Sequence, residues 1–533
     1  MPHLKTNKAT KRQNSENVSG HPSLAARVQR VFLLLMPLCL FFSFHPVIKL
    51  GETSVMNYEL SVAEIWLVLF SLVSLINIKP VAKFYGVKKL AVAAILPVYF
   101  FLSAVWSANH FRAILTAGLF SLIVFAGLNI FWLIKTDQSS KHSAGSLLTC
   151  LKKSLLLSAT AISIFCLAQC ILDLIGVSQQ YTMLCNGCVY NSFGFPHPNG
   201  FAIEPQFMGN LLLTPALLGF YELSVYAKNK HKPLFKKPTL ITLLLIITTT
   251  LFLTLSRGAI YAFCLGFLVQ QIWLAIRAHK QNQSALATLI KPITLSLTAF
   301  IFAISLQGLF AAVSPTNDTF YSGITKSLHQ LTLGKIDLRP QSTSTNDTES
   351  TSTNTQSTST EPQSSQSAEQ PTEEAVVSHF SGYVAESTNV RLNLNSLAIK
   401  TWSSQPRYVL IGTGLGSAGI AIHDYAPEEI GAKEIIQNEY LSLLLETGLI
   451  GCATILAVII YVVLKSRTFL KTQKPAAKSS YLATLPLFLS VIFSFALTLL
   501  FFSGIPNAIH IYLFPLILIS LPTKHYSVIA QKV

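Results

Sequence analysis

The sequence predicts an all-α polytopic membrane protein with about twelve membrane-spanning helices. Only 12% of the 533 residues are charged, whereas 51% are apolar. A soluble domain carries about 25% charged residues, so this chain has too little polar surface to cover a water-soluble body. Apolar runs of about 20 residues, the length that crosses a bilayer, recur along the chain. The distribution of positive charge between these runs is the third observation, because it follows a simple inside–outside pattern.

Twelve segments have the length and apolar content of a span. They are residues 29–48, 59–78, 89–107, 112–134, 154–176, 201–226, 238–255, 258–277, 291–313, 438–464, 480–502 and 506–522. The first has no small-residue cleavage site, so we interpret it as a retained helix. Nine spans thus occupy residues 29–313 and three occupy residues 438–522, between basic tails at 1–28 and 523–533.

The lysines and arginines predict the orientation. Most of the 39 lie in segments that are inside if residues 1–28 are cytoplasmic, and the short outside connections hold only Lys49, Arg112 and Arg257. Positively charged connections favour the cytoplasmic side. We therefore predict that both termini are cytoplasmic. The net charge of +16 is then a topology signal and does not indicate nucleic-acid binding.

A long extracytoplasmic loop, residues 314–437, is predicted between helices nine and ten. Residues 341–370 are rich in Ser, Thr and Gln, which predicts a disordered insertion. Apolar residues at helical spacing in 390–402 predict a helix on the membrane surface. Residues 411–436 are first glycine-rich and then acidic, which indicates an ordered turn over the outer face.

Two of the eight cysteines, Cys185 and Cys188, lie in a polar outside connection. A disulfide is the favoured interpretation, and two free thiols are the alternative. A metal pair is disfavoured because only two ligands are in view. We therefore predict no metal site.

The tenth predicted span, residues 438–464, begins with polar residues and carries an acid within its apolar run. Glu439, Ser442 and Glu446 share one helical face, and Gly448 and Gly451 follow. Glycines permit close contact with a neighbouring helix. One hypothesis is that the acidic stripe lines a wet outer cleft. The alternative is that Glu446 serves packing alone, by hydrogen bonding to a neighbour.

Residues 191–210 combine three prolines and three glycines where the sixth predicted span, 201–226, begins. Glu204 precedes Pro205, which suits a first helical position. The pattern predicts irregular backbone that then turns helical. At membrane depth such backbone must be buried in protein or line a cavity. The alternative is a surface loop, with the span beginning only at Glu204.

Arg257 is the one charge in the tight turn 255–259 and must lie at the outer boundary. Snorkelling to water is the ordinary behaviour of such an arginine. A guanidinium at headgroup level also suits a lipid-linked phosphate. Arg391, in the amphipathic segment, is within reach of the same layer.

Several motifs together resemble the O-antigen ligase and polymerase family. Asn438 is followed after nine residues by the glycine pair of 448–451, which is similar to that family's signature. The S-R-G turn at 256–258, Arg391 heading a segment that ends near Trp402, and the glycine-rich 411–416 follow the family's order. The stretch F-G-F-P-H-P-N before helix six also resembles the family.

The resemblance implies a GT-C-like, metal-independent membrane glycosyltransferase without a cofactor. Its substrate would be a glycan on undecaprenyl pyrophosphate, transferred to a lipid, protein or polysaccharide acceptor at the outer face of a bacterial plasma membrane. The family's arginines grip the pyrophosphate, a role that carries over to Arg257 and Arg391. Membrane lipids and a chain-length regulator are the implied partners.

The family histidine of the signature is replaced by Gln437, which cannot accept a proton. Glu204, His423 and Glu439 are then the candidates for orienting or deprotonating the acceptor. Gln437 and Asn438 are expected to hydrogen-bond sugar. The replacement favours a polymerase, or transfer to an acceptor other than lipid A.

Two other functions fit twelve spans with both termini inside. A transporter or flippase of envelope precursors shares this layout, but carriers tend to have internal repeats and polar sites at the midplane. Here we find no repeat, and the polar groups gather at the outer end. A non-catalytic membrane scaffold is the third hypothesis, and it requires none of the candidate site residues.

Overall fold

The computed structural model describes residues 24–52, 57–139, 146–185, 193–226, 234–316, 318–332, 373–428, 435–472, 475–502, 513 and 515. These residues are predominantly helical, and seven of the helices among them are long and apolar enough to cross a membrane. The chain is therefore an α-helical membrane protein. The insertion predicted at 341–370 and the tail 523–533 lie outside the described residues, as does residue 188.

The described helices and strands run as follows in chain order. The first half contains α1 (Leu24–Phe41), β1 (Val47–Glu52), β2 (Asn57–Ser61), α2 (Val62–Ser74), α3 (Ile78–Tyr85), α4 (Val87–Ser103), α5 (His110–Ser139), α6 (Leu147–Leu174), α7 (Gln179–Thr182) and α8 (Pro205–Tyr226). The second half contains α9 (Lys237–Leu253), α10 (Arg257–Lys280), α11 (Ala285–Val313), α12 (Phe320–Leu331), α13 (Glu373–Ser403), α14 (Pro406–Ile411), α15 (Ala418–Tyr425), α16 (Glu439–Thr472) and α17 (Pro475–Thr498).

The seven candidate spans fall at seven of the predicted positions. They are Val62–Tyr85, Val87–Trp106, His110–Asp137, Leu147–Leu174, Arg257–Lys280, Ala285–Val313 and Glu439–Lys465. Helix α9 and the Leu482–Thr498 part of α17 are apolar but shorter. Helices α1 and α8 occupy two further predicted positions. The last predicted span, 506–522, falls almost entirely outside the described residues.

The first predicted span, 29–48, is wrong at its C-terminal end. Helix α1 ends at Phe41, and β1 pairs with β2 as an antiparallel hairpin. Pro46 cannot continue a helix, and the residues after it, beginning with Val47 and Ile48, favour extended backbone. The chain is thus mostly but not wholly α-helical. The hairpin leads directly into α2, whose first turn is capped by Ser61 and Glu64.

Helix α8 occupies the centre of the bundle. Its residues 208–221 are all buried, and it packs against α6, α9, α10, α11 and α17. A helix enclosed on all sides needs no contact with lipid, so it can carry polar residues such as Asn210 and Thr214, both almost fully buried. These polar groups of α8 are therefore held inside protein.

Helices α10 and α17 pack closely because a small residue lies between them. A Cβ atom at Gly266 would lie 2.0 Å from the Ser494 Oγ and 2.6 Å from the Ser490 carbonyl oxygen. The Ser494 hydroxyl donates to the Ala262 carbonyl at 2.6 Å. The close approach of backbones lets such a bond form, as is common between membrane helices.

Replacing Gly266 with alanine should therefore lower stability by about 1–3 kcal/mol, because the added methyl group overpacks the contact. Gly118 on α5 is a matched control, since nothing lies within 4 Å of a Cβ built there. Gly118→Ala should leave the thermal melting midpoint in detergent unchanged or slightly raised. Equal melting midpoints for the two variants would contradict this packing.

Candidate functional site

Helix α16 is broken near its N-terminal end at Gly448, whose φ of +61° and ψ of −170° are not helical. A break leaves the carbonyls of the preceding turn without partners in their own helix. In a membrane, such groups must be satisfied by other parts of the protein. One of them, the Thr447 carbonyl, accepts a hydrogen bond of 2.7 Å from the Tyr99 hydroxyl on α4.

The glycine-rich segment supplies the other partners. The N–H of Thr413 donates to the Leu445 carbonyl, and the N–H of Gly414 donates to the Glu446 carbonyl, each at 2.9 Å. A Cβ atom at Gly412, where φ is +74°, would lie 2.3 Å from the Glu446 carbonyl oxygen. The two glycine motifs of the sequence are therefore halves of one backbone junction.

The side chain of Glu446 strengthens the same junction. It is only 3% exposed, and its carboxylate accepts the N–H of Ala418 at 3.3 Å, at the start of α15. A carboxylate at a helix N-terminus is stabilised by the exposed N–H groups there. Arg112, in the first turn of α5, lies near enough to attract it. The acid thus holds α15 and the glycine-rich segment against α16.

The acidic face of α16 is enclosed by protein. Glu439 is 1% exposed, Ser442 is 4% exposed, and Glu446 is equally sheltered. For Glu446 the structure matches the packing alternative, since its carboxylate bonds to backbone of the neighbouring segment. Glu439 lies one to two turns nearer the N-terminal end of α16, where its contacts are with other parts of the chain.

The C-terminal end of α17 is the meeting point for Glu439 and the head of α8. The N–H of Glu439 donates to the Leu499 carbonyl at 2.9 Å. The Gln206 side chain, in the first turn of α8, donates to the Phe501 carbonyl. These carbonyls have no intrahelical partners because the helix has ended. Two polar residues from distant parts of the chain are thereby fixed around one helix terminus.

The turn that carries Arg257 reaches the same place. Leu255 adopts a φ of +45°, which is unusual for a residue with a branched side chain. Ser256 then caps α10, and Arg257 is its first residue, half-buried. The next residue, Gly258, faces the Phe501 side chain: a Cβ atom there would lie 3.1 Å from that of Phe501. Arg257 therefore begins its helix beside the terminus that also binds Glu439.

Residues 193–204 are irregular backbone and residues 193–200 are all buried, as the proline and glycine pattern predicts. Helix α8 begins at Pro205. The buried side chain of Gln169 satisfies Gly200 twice, accepting its N–H at 2.8 Å and donating to its carbonyl at 2.9 Å. Non-helical backbone is thus stabilised by hydrogen bonds from α6.

His197 lies within this segment and is 2% exposed. The rings of Phe193 and Phe195 meet it edge-on, with centroids 4.3 Å and 5.0 Å away. Burial lowers the pKa of His197 to about 3, and the Leu253 backbone acts in the opposite direction. The imidazole is therefore neutral at physiological pH. Its ring lies near the Leu253 backbone at the end of α9, three residues before the Ser256 cap.

Glu204 and Arg391 are brought together, although they are far apart in the sequence. Glu204 directly precedes α8 and is partly buried. Burial raises the pKa of its carboxyl group, and the charge of Arg391 opposes that rise. Arg391 lies on α13, where Leu394 and Leu397 are 5% and 3% exposed. The helix predicted over 390–402 is confirmed.

The other predicted site residues lie around α15 and the head of α16. The Asn438 side chain accepts the N–H of Leu441 at 3.2 Å and so caps α16, which gives it a structural role. Gln437 is partly buried, as is His423 on α15. Each directly follows an isoleucine of one small apolar cluster, formed by Leu397, Ala398, Ala418, Ile422, Ile436 and Leu445.

Cys185 is disulfide-bonded, and Cys188 lies outside the described residues. The other described cysteines are free thiols: Cys39, Cys150, Cys166, Cys170, Cys264 and Cys452. In the part of the chain that the structure describes, no three His, Cys, Asp or Glu side chains are grouped so that they could hold a metal ion.

Three charged residues near the site carry no recognisable sequence signal. Arg112 looks like a topology charge, and only the folded chain places it beside Glu446. Lys326 and Asp318 form an ion pair with an N–O distance of 2.7 Å in the segment after α11. Asp318 directly precedes Thr319, the cap of α12, but nothing in the sequence indicates that both charges are largely buried.

Comparison with known proteins adds no family to these observations. Neither protein-family models nor curated proteins match the chain. The candidate site therefore rests on the order of the motifs along the chain, on the charge of Arg391 that acts on Glu204, and on the contacts that bring the starts of α8, α10 and α16 to the end of α17.

Replacing Gly448 with alanine should open the junction between α16 and the glycine-rich segment. The new Cβ would lie 2.5 Å from the Gly412 nitrogen and 2.6 Å from the Leu410 carbonyl carbon, so backbone must move. Amide exchange at Thr413 and Gly414, measured by mass spectrometry, should become faster. Gly176→Ala separates strain from clash, because Gly176 has a φ of +86° with nothing within 4 Å. Unchanged exchange in Gly448→Ala would contradict the junction.

The buried imidazole should make stability depend on pH. In the unfolded chain the pKa of His197 is about 6.5, and in the folded protein it is about 3. Below pH 6.5 the unfolded state binds more protons, so stability is complete above that pH and is lost as the pH falls. Between pH 7 and pH 5 the free energy of unfolding should fall more steeply for the wild type than for His197→Gln, by up to about 1.4 kcal/mol per pH unit. The melting midpoint of the wild type should therefore drop more than that of the variant over this range. Parallel curves would contradict the assignment.

Proposed function

We propose that the chain is a glycosyltransferase of the O-antigen ligase and polymerase type. It takes a glycan from undecaprenyl pyrophosphate and joins it to a lipid, protein or growing polysaccharide. In this proposal the protein has twelve spans in a GT-C-like arrangement and lies in a bacterial plasma membrane with both termini cytoplasmic. Its reactive face is extracytoplasmic.

The observation that supports the proposal most is that the charge of Arg391, within α13, acts on the carboxyl group of Glu204, directly before α8. A base and a cation in one place are what transfer from a pyrophosphate carrier requires. The motif resemblance marks Arg391 independently as a donor-binding residue. Two separate lines of reasoning therefore point to one position.

The reaction assigns a task to each group. The acceptor hydroxyl oxygen attacks the anomeric carbon, a new glycosidic bond forms, and the carbon–oxygen bond to pyrophosphate breaks. The electron pair leaves with undecaprenyl pyrophosphate, whose charge Arg391 and Arg257 stabilise. The acceptor proton passes to a carboxylate, and Glu204 suits this task because burial raises its pKa toward the range of a useful base.

The remaining candidates have supporting tasks in this scheme. Glu439 is held by the end of α17 beside the head of α10, and is a second carboxylate for orienting the acceptor. His423 and Gln437 flank the small apolar cluster under α13, where they would contact sugar. Gln437 can donate and accept hydrogen bonds but cannot take the proton, so the base must be a different residue.

Replacing either arginine should abolish transfer while the protein stays in the membrane. Arg257→Ala and Arg391→Ala should each lower glycan transfer at least about 100-fold, because one electrostatic contact to the leaving group is lost. The measurement is the length distribution of surface glycan in cells, together with accumulated lipid-linked donor. Arg407→Ala is the matched control, since Arg407 is exposed and, among the described residues, hydrogen-bonds the Trp106 carbonyl alone, at 3.5 Å.

Long glycans of normal abundance from both arginine variants would refute the donor assignment. Loss of transfer in Arg407→Ala as well would indicate a general effect on folding. Solute movement by purified protein in vesicles without donor lipid would instead favour a transporter.

A further inference from the structure

The ion pair of Lys326 and Asp318, to which the proposed reaction assigns no task, lies against the irregular segment that leads to Glu204. Lys326 on α12 is 6% exposed. Its ammonium group donates to the Asp318 carboxylate at 2.7 Å and to the Phe193 carbonyl at 3.3 Å. A buried charge pair is costly to desolvate and is seldom the most stable solution for packing alone.

The backbone beside this pair is held by several hydrogen bonds and close contacts. The carbonyl of Gly194 accepts hydrogen bonds from the hydroxyls of Ser314 and Thr316, the latter at 2.9 Å. Gly194 has a φ of +81°, and a Cβ atom there would lie 2.6 Å from the Asp318 carboxylate. The segment 193–204 therefore begins at a point where only this backbone path fits.

Helix α12 also reaches the helix that carries Arg257. The Tyr261 hydroxyl donates to the carbonyl of Leu331, the last residue of α12. Tyr261 lies four residues after Arg257 and so on the same face of α10. On its other side α12 packs closely against α11, because a Cβ atom at Gly323 would lie 2.6 Å from that of Ala311.

We propose that Lys326, paired with Asp318, is a positioning residue of the transfer site. It holds the start of segment 193–204 against α12, and α12 is hydrogen-bonded to α10. Glu204 and Arg257 therefore keep a constant spacing. The residue touches neither donor nor acceptor. Its effect on transfer therefore rests on the proposed function, whereas its effect on the segment does not.

The test separates stability from positioning with three variants. Lys326→Met leaves Asp318 buried without its cation and should lower the melting midpoint. The double variant Asp318→Asn, Lys326→Met removes both charges, which restores most of that stability. It does not restore the bond to the Phe193 carbonyl. Lys400→Met, an exposed lysine on α13, is the control.

Two readouts are measured on the full-length protein in detergent or vesicles. Amide exchange of a peptide covering 193–204 should rise about tenfold in both the single and the double variant. With an undecaprenyl-pyrophosphate oligosaccharide as donor, kcat should fall about tenfold to 100-fold, and KM for that donor should change less than about threefold, since the arginines remain.

Recovery of both exchange protection and kcat in the double variant would overturn the proposal, because the pair would then serve stability alone. Unchanged exchange in Lys326→Met would overturn it as well. Faster exchange with normal kcat would show that the contact of Lys326 with segment 193–204 does not position the transfer site, which would also overturn the proposal. If the wild type transfers no glycan, the proposed function fails, and the exchange result still decides whether Lys326 holds the segment.

Discussion

Backbone hydrogen bonding where the helices break or end is the constraint on which this structure depends. A carbonyl that loses its helical partner near lipid must find another within the protein. The break at Gly448 creates such carbonyls, and Thr413, Gly414 and Tyr99 satisfy them. The glycine-rich segment therefore completes the hydrogen bonding of the helix that it contacts. As a consequence, it positions α15.

The same constraint explains why charged residues gather there. Irregular backbone exposes N–H and C=O groups, and side chains that satisfy them must be polar. Glu446 accepts from Ala418, and Lys326 donates to Phe193. In these two cases a second charge, Arg112 or Asp318, lies close by, so neither ion is buried alone. The polar groups are structural first, and the proposed chemistry uses a scaffold that they hold.

Glu204 and Arg391 stand apart from this scaffold. Glu204 directly precedes α8 and Arg391 lies within α13, and both are only partly buried. Opposite charges in a half-buried place keep access to solvent while attracting one another more strongly than in water. A substrate phosphate could compete for the arginine and release the carboxylate for proton transfer, which is the arrangement that the proposed function requires.

The sequence by itself determined the membrane class, most helix positions, the start of α8 at Pro205 and the helix around Arg391. These follow from local properties, namely the length of apolar runs and the backbone restrictions of proline. The same local reasoning extended the first span past Phe41 into a strand, because Val47 and Ile48 suit a span as well as a sheet. Only the tertiary structure decided that Glu446 serves packing, that Asn438 caps α16 and that Arg391 meets Glu204. Those outcomes depend on which segments approach one another, and a single sequence carries no record of pairs that meet only after folding.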